Sequence, residues 1–423
     1  MKTITKNLLL ISSLLYLSLP ENANALPGFA RQTGEDCSAC HIQNMPKLNI
    51  HGRHFARSGF TLYDKESEIQ SLIEGSDIPL GLPAVLNASV VMKAHYNKTS
   101  TSRGSVNVLE GTGLYFGGRI ADNVGGIISL TGDPAEARDV VFGGKTILVY
   151  KVFDGMSGLS LYSTQTNGLF AGMEDYNTGL YAPLKQFENA TATNAAQATG
   201  LGRGAATGLQ AYYANDYLLA TFGGMIPAQN SEGIDVGGSI IPFGRLAYNQ
   251  PLMGWELMLG VYGFSGTIKA SDQSLNGTLI DTNANLVSVE KVGFGFDFEA
   301  SGAIANMSTL LTANLVLKNS VSHDGNLSDE NLQNIDNQAA SIELQINPIE
   351  PLGLKVAYLY YNNRATEDGL EFIRSYDYSA PSLGVSYLFR ENFDLDMEYT
   401  YNYPKGVDMH NFYEFYLFAR VAF

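Results

Sequence analysis

Cysteine is nearly absent. Cys37 and Cys40 are the only two in 423 residues, which leaves no material for a multi-bridge disulfide framework. Charge is sparse as well, at 16% of the chain, and the basic share is the smaller one: 26 Lys and Arg against 42 Asp and Glu, a net charge of −16. That balance argues against DNA, RNA or any other polyanion as a partner. No stretch after the N-terminus offers 18 consecutive apolar residues, so no transmembrane helix is expected. Nucleotide-binding glycine loops, catalytic triads and metallohydrolase motifs are all missing.

Aromatics and glycine are abundant instead, with 24 Tyr, 21 Phe and 44 Gly. Many aromatics, many glycines and weak alternation suit a transmembrane β-barrel, where only every second residue faces lipid. The N-terminus reads as a secretory signal over residues 1–25: Lys2 and Lys6 are basic, Leu8 to Leu19 is apolar, and Ala23-Asn24-Ala25 supplies small residues for cleavage before Leu26. At the other end, positions 413, 415, 417, 419, 421 and 423 are apolar and alternate with a set that includes Glu414 and Arg420. A last strand ending in Phe423 resembles the terminal signal of bacterial outer-membrane barrels. The expected location is the outer membrane of a Gram-negative cell, with outer-membrane lipid as the surrounding partner.

Period-two patterning recurs upstream. In Phe393 to Tyr401, Asp394, Asp396 and Glu398 share one face, expected toward water, while Leu395, Met397, Tyr399 and Tyr401 share the face toward lipid. Ser341 to Ile346 and Trp255 to Leu259 alternate similarly. Tight turns are expected near Asp122-Asn123, Asp154-Gly155, Asn215-Asp216, Gln250-Pro251, Ser301-Gly302, Asn347-Pro348 and Glu391-Asn392. Seven such turns, with both chain ends on the same side, imply about 16 strands over residues 84–423. The fold class is therefore all-β, an antiparallel barrel preceded by a small helical segment over 26–83. The longest connections, about Thr166 to Gly204, Gly266 to Asn285 and Asn319 to Ala339, read as solvated loops outside the cell.

The segment over 26–83 carries Cys37-Ser38-Ala39-Cys40-His41, a C-x-x-C-H. Two thiols on one helical turn can form thioethers to the two vinyl groups of one porphyrin, and the next histidine then lies under the iron. Cys37 and Cys40 are thus expected to hold one haem c covalently, with His41 as an axial ligand of its iron. A thiol–disulfide site, or a zinc site drawing on Cys37, Cys40, His51 and His54, are the competing readings; neither explains the adjacent histidine or fits the usual spacing. About 58 residues cannot enclose a haem alone, so this segment is expected to sit inside or against the barrel.

Further residues make the pattern more specific. Phe29-Ala30-Arg31-Gln32-Thr33-Gly34, the C-x-x-C-H, Pro46-x-Leu48, Gly52-Arg53-x-Phe55 and Gly59-Phe60-Thr61-Leu62 together resemble the fused monohaem cytochrome–porin of iron-oxidising bacteria. The resemblance covers about 35 residues, while the barrel agrees only in length and kind. That family commonly has an aromatic residue before the Gly-Arg, where this chain has His51. The resemblance implies an outer-membrane protein that carries electrons from extracellular Fe(II) to a periplasmic carrier such as a soluble cytochrome. An Fe(II)-oxidising activity is implied with it, with no separate catalytic side chain. The sixth ligand stays open between His54, His51 and a residue of the barrel wall, with Met45 too close to His41 to turn back easily. Arg31, Arg53 and Arg57 could pair with haem propionates or with lumen carboxylates. His95, His323 and His410 read as structural or solvent-facing. Two other functions share this architecture: a porin gated by its haem plug, and a conduit carrying electrons outward.

Overall fold

The computed structural model describes residues 27–42, 46–61, 87–109, 111–121, 123–132, 140–164, 169–172, 176–188, 193–202, 205–226, 240–271, 286–324, 333–367, 370–390, 392–405 and 410–423. The signal over 1–25 and its cleavage point lie outside these residues, as do Met45, Leu62, Asp122, Glu391 and positions 84–86.

Three short helices come first: α1 (Pro27–Thr33), α2 (Cys37–Cys40) and α3 (Ile50–Arg57). Then follow β1 (Ala88–Thr99), β2 (Ser105–Val108), β3 (Gly113–Ala121), β4 (Val124–Gly132), β5 (Val140–Val152), β6 (Gly155–Thr164), β7 (Ala206–Ala214), β8 (Leu218–Ile226) and β9 (Ile241–Leu252), with α4 (Ala195–Ala198) between β6 and β7. The remaining strands are longer on average: β10 (Trp255–Ser271), β11 (Leu286–Ile304), β12 (Met307–Asp324), β13 (Gln333–Ile349), β14 (Leu352–Glu367), β15 (Leu370–Arg390), β16 (Phe393–Lys405) and β17 (Phe412–Ala422). Every pairing is antiparallel, and β1 pairs with β17 to close the sheet on itself.

The strand β1 meets β2 along its C-terminal half and β3 along its N-terminal half, so β2 and β3 fill one position of the barrel. Seventeen segments therefore make 16 staves, an even number as closure of an up-and-down barrel with both ends on one side requires. All seven expected tight turns exist. Four lie where the turn residues placed them. The other three fall at Met253-Gly254, Ala305-Asn306 and Glu350-Pro351, three to four residues later than expected. There Gln250, Pro251, Ser301, Gly302, Asn347 and Pro348 belong to strands, because ladder pairing overrides the turn propensity of single residues.

Facing follows the alternation. In β16, Met397 is 46% exposed on the outside while Glu398 is 1% exposed on the inside. Leu417, Val421 and Phe423 point outward from the last strand, and Arg420 and Ala422 inward. The outer wall is thus an apolar surface built to stand in lipid, and the chain is an outer-membrane β-barrel. Among the described residues no helix is long and apolar enough to cross a membrane.

Two expectations about the loops are corrected. Gly266 to Ser271 continue β10, while Asn319 to Asp324 and Gln333 to Ala339 extend β12 and β13; polar residues remain in the ladder because each strand pairs with a neighbour of matching length. More importantly, the connection read as solvated surface over Thr166 to Gly204 folds inward. Phe170, Tyr176, Leu180, Leu184, Phe187 and Leu201 are all buried, and so are Ala195 and Ala196 of the low-complexity stretch. Its apolar residues are too widely spaced to form a periodic pattern, yet together they pack against the inner wall at Phe243, Tyr262, Val316 and Leu359.

Candidate functional site

The C-x-x-C-H occupies one helical turn at the end of the barrel that carries the short turn between β15 and β16. Asp36 precedes α2 as its N-cap, and His41 ends it in extended backbone. Two constraints fold the chain back on this turn. The Asn49 side chain accepts from Gly52 N at 3.0 Å, capping α3, and donates to the Ala39 carbonyl at 2.9 Å. Gly52 then lies directly over α2: any Cβ there would collide with the Cys40 carbonyl. Only glycine allows that approach.

His41 forms a bridge with Leu48, and its Nδ1 lies 3.0 Å from the Lys47 carbonyl. With Nδ1–H donating there, Nε2 is the ring nitrogen left to bind a metal. This is the arrangement in which a backbone carbonyl fixes the tautomer and orientation of a ligating imidazole. Burial pushes the His41 imidazole down to about 4, with the nearby Arg420 adding to the effect, so it stays neutral at pH 7. Burial, together with Glu35 and Cys37, raises the Cys40 thiol to about 11. Both cysteines are half-buried and outside any disulfide, and Cys37 Sγ lies 3.8 Å from Asn392 Oδ1 in the turn between β15 and β16. Two thiols on one turn, a neutral imidazole with one nitrogen committed and a glycine-only approach behind them form a donor set that fits a covalently attached haem.

The candidate distal residues behave differently from one another. His51 Nε2 sits 2.7 Å from Glu35 Oε2, so it is engaged on the near side of α3. Glu35, Cys40 and His51 bring ligand atoms within 4.8 Å of one another, a trio that could hold a borderline divalent cation only while Cys40 is a thiol. His54 is half-buried in the last turn of α3. His95 bonds Asn107 and stacks on Tyr416, a structural role between strands, and His410 is exposed.

The arginines anchor the segment to the lumen. Arg31 donates to the Ala88 carbonyl at the start of β1. Arg53 reaches Glu299 at 2.9 Å and Glu256 at 3.1 Å, and Arg57 donates to the Tyr176 hydroxyl at 3.0 Å. Salt bridging to lumen carboxylates therefore accounts for Arg53. Phe55 packs with Phe29 and Phe60, at ring separations of 5.2 to 6.0 Å, over Ile147, Val149 and Met258 of the wall. Gly125 of β4 lets the Gly59 carbonyl approach more closely than any side chain would permit.

From the opposite mouth, the inward-folded connection meets this plug and the far wall. Asn177 bonds the Leu48 backbone twice, and Tyr176 lies beneath the guanidinium groups of Arg53, Arg57 and Arg245 at 5.1 to 5.4 Å. Thr178 donates to Asp297, Gln186 to Thr312, and the Ala195 amide to Ser341. Glu188 reaches toward Arg420 at 3.6 Å, and the Lys355 ammonium bonds both Asp396 and Glu398. The acidic face of β16, expected to meet water, thus meets buried cations. Lys47, Asn177 and Glu299 carry no sequence motif; a lone buried lysine, asparagine or glutamate is visible only once the two plugs are in contact.

No protein-family model matches the chain, and no curated protein does. Among solved structures it is similar to the anion-selective porin from Comamonas acidovorans, at 11% identity over 80% of this chain and 99% of that one, with a TM-score of 0.50. It is also similar to OmpT, an outer membrane protein of Vibrio cholerae, at 13% identity over 82% of this chain and 100% of that one, with a TM-score of 0.49. The outer membrane channel DcaP of Acinetobacter baumannii follows at 13% identity, 80% of this chain, 97% of that one and a TM-score of 0.46. At such identities the likeness is one of fold: a porin-like outer-membrane barrel.

Proposed function

We propose that this barrel is a monohaem cytochrome–porin of the Fe(II)-oxidising kind, with one haem c bound covalently at Cys37 and Cys40 and His41 Nε2 as an axial ligand. A single observation carries the reading: the only two thiols of the chain share one helical turn, beside an imidazole whose Nδ1 is held by the Lys47 carbonyl. When bound, the haem supplies one-electron chemistry, accepting the electron that extracellular Fe(II) loses on becoming Fe(III) and yielding it to a soluble periplasmic cytochrome.

The chain's own residues do the rest. His41 stays neutral and fixed in orientation. Arg53, Phe55 and Phe60 seat the segment and exclude water around it. The net charge of −16 draws Fe(II) toward the mouth and favours its approach over that of anions. Contacts from the two plugs reach β1, β3, β5, β7, β10, β11, β12, β13, β14, β16 and β17, which fits a lumen obstructed by protein rather than a wide solute channel. The test is haem staining of the purified barrel on a denaturing gel. Wild type should stain and Cys40→Ala should lose the stain; equal staining of both would sink the assignment.

A further inference from the structure

Lys47 and Leu48 form a two-residue strap between the C-x-x-C-H turn and α3, and the strap is gripped from three directions. Its Lys47 carbonyl holds His41 Nδ1 at 3.0 Å. The Lys47 ammonium donates to Gln345 on β13. Leu48 is gripped mainly by Asn177: its Oδ1 accepts from Leu48 N at 2.8 Å, and its Nδ2 donates to the Leu48 carbonyl at 2.8 Å, where Arg53 adds a longer bond at 3.4 Å.

Few side chains can make this pair of bonds. An amide offers a donor and an acceptor side by side, so it imitates one peptide unit of an antiparallel strand. Asn177 is itself held by Glu299 at two points. Nδ2 also donates to Glu299 Oε1 at 3.0 Å, and its backbone amide donates to Glu299 Oε2 at 2.7 Å. Glu299 in turn holds Arg53 of α3 at 2.9 Å. Asn177 is fully buried, belongs to the connection that enters from the extracellular mouth, and bonds through Oδ1 to the N–H of the same peptide unit whose carbonyl orients His41.

We infer that Asn177 is a positioning residue for His41: through the Lys47–Leu48 strap, the extracellular-side connection fixes the Nδ1–H···O=C bond and with it the donor strength of the axial imidazole. The inference rests on the haem assignment above. A hydrogen bond from Nδ1–H makes the imidazole a stronger electron donor, which favours the ferric over the ferrous state. A loosened strap weakens that bond, and the midpoint potential rises.

The experiment compares the haem-loaded barrel with its Asn177→Leu variant in potentiometric titration, together with solvent exchange of the His41 Nδ1–H proton by NMR. The expected result is unchanged haem content, a higher midpoint potential and faster exchange of that proton. Thr178→Val removes a neighbouring anchor of the same connection without touching Leu48, and it should leave both readouts at wild-type values. Should Asn177→Leu fail to fold, Asn177→Gln keeps donor and acceptor one methylene out of place and should shift both readouts in the same direction. A potential that ignores both Asn177 variants, or that moves equally with Thr178→Val, overturns the positioning role and leaves the haem assignment standing. A wild-type barrel without covalent haem overturns both.

Discussion

The plug entering from the periplasmic end and the connection entering from the extracellular end fill the same lumen by different means. The plug is held by charge, hydrogen bonds and close approach: Arg53 on Glu299 and Glu256, Arg31 on a strand carbonyl, Lys47 on Gln345, and the Gly59 carbonyl against Gly125 of β4. The connection relies more on small side chains, hydroxyls and amides, with Ala195 and Ala196 fully buried and Thr178, Gln186 and Asn194 bonded to the wall. Losing one partner of a buried ion pair strands a charge, whereas losing a neutral hydrogen bond costs far less. The plug should therefore be brittle to single substitutions and the connection tolerant of them.

The largest effect is expected from Arg53→Met, which leaves Glu299 buried with only amide donors. Loss of such a partner costs about 3–5 kcal/mol, and hydrogen exchange at α3 should report it as loss of protection. Gly52→Val comes next. Its branched side chain cannot coexist with the Cys40 carbonyl, and overpacking of this kind costs about 1–3 kcal/mol, visible as accelerated proteolysis of the plug. Thr178→Val removes a bond to the Asp297 carboxylate, which keeps Arg245, and should cost about 1.5 kcal/mol, with exchange at α3 unchanged. If it opened the plug as far as Arg53→Met does, the contrast between the two fillings would collapse.

A further prediction sharpens the comparison through pH. Burial, reinforced by Lys355, lowers the Lys47 ammonium to about 7 in the docked plug, against 10.5 when solvated. The undocked segment then binds the proton more tightly, so docking strengthens as pH rises from about 7 to 10.5 and loses that contribution as pH falls back to 7. Lys47→Met should flatten this slope while keeping the backbone carbonyl that His41 uses. A slope unchanged in the variant would assign it to another group.

Much of this organisation was legible in the residues, and what escaped did so for physical reasons. Alternation in β16 and β17 gave strand facing directly, because a period of two has only two faces to choose between. Turn chemistry gave the strand number but misplaced three turns, since Gln250-Pro251, Ser301-Gly302 and Asn347-Pro348 carry turn propensity inside paired strands. The C-x-x-C-H marked the candidate site outright. Nothing marked the fate of residues 169–202: their buried Phe, Leu and Ala follow no period, and lumen space belongs to the barrel as a whole rather than to any local stretch. Asn177 was invisible for the same reason, since its partners Leu48 and Glu299 lie more than 120 positions away in either direction.

The most direct test mixes the purified haem-loaded barrel with Fe(II) in the absence of oxygen and follows the haem absorbance bands. Rapid reduction, at a rate that rises with Fe(II) concentration and is lost in His41→Ala, is the predicted result. A haem that stays oxidised with excess Fe(II), yet reduces at once with a strong reductant, would contradict the proposed donor.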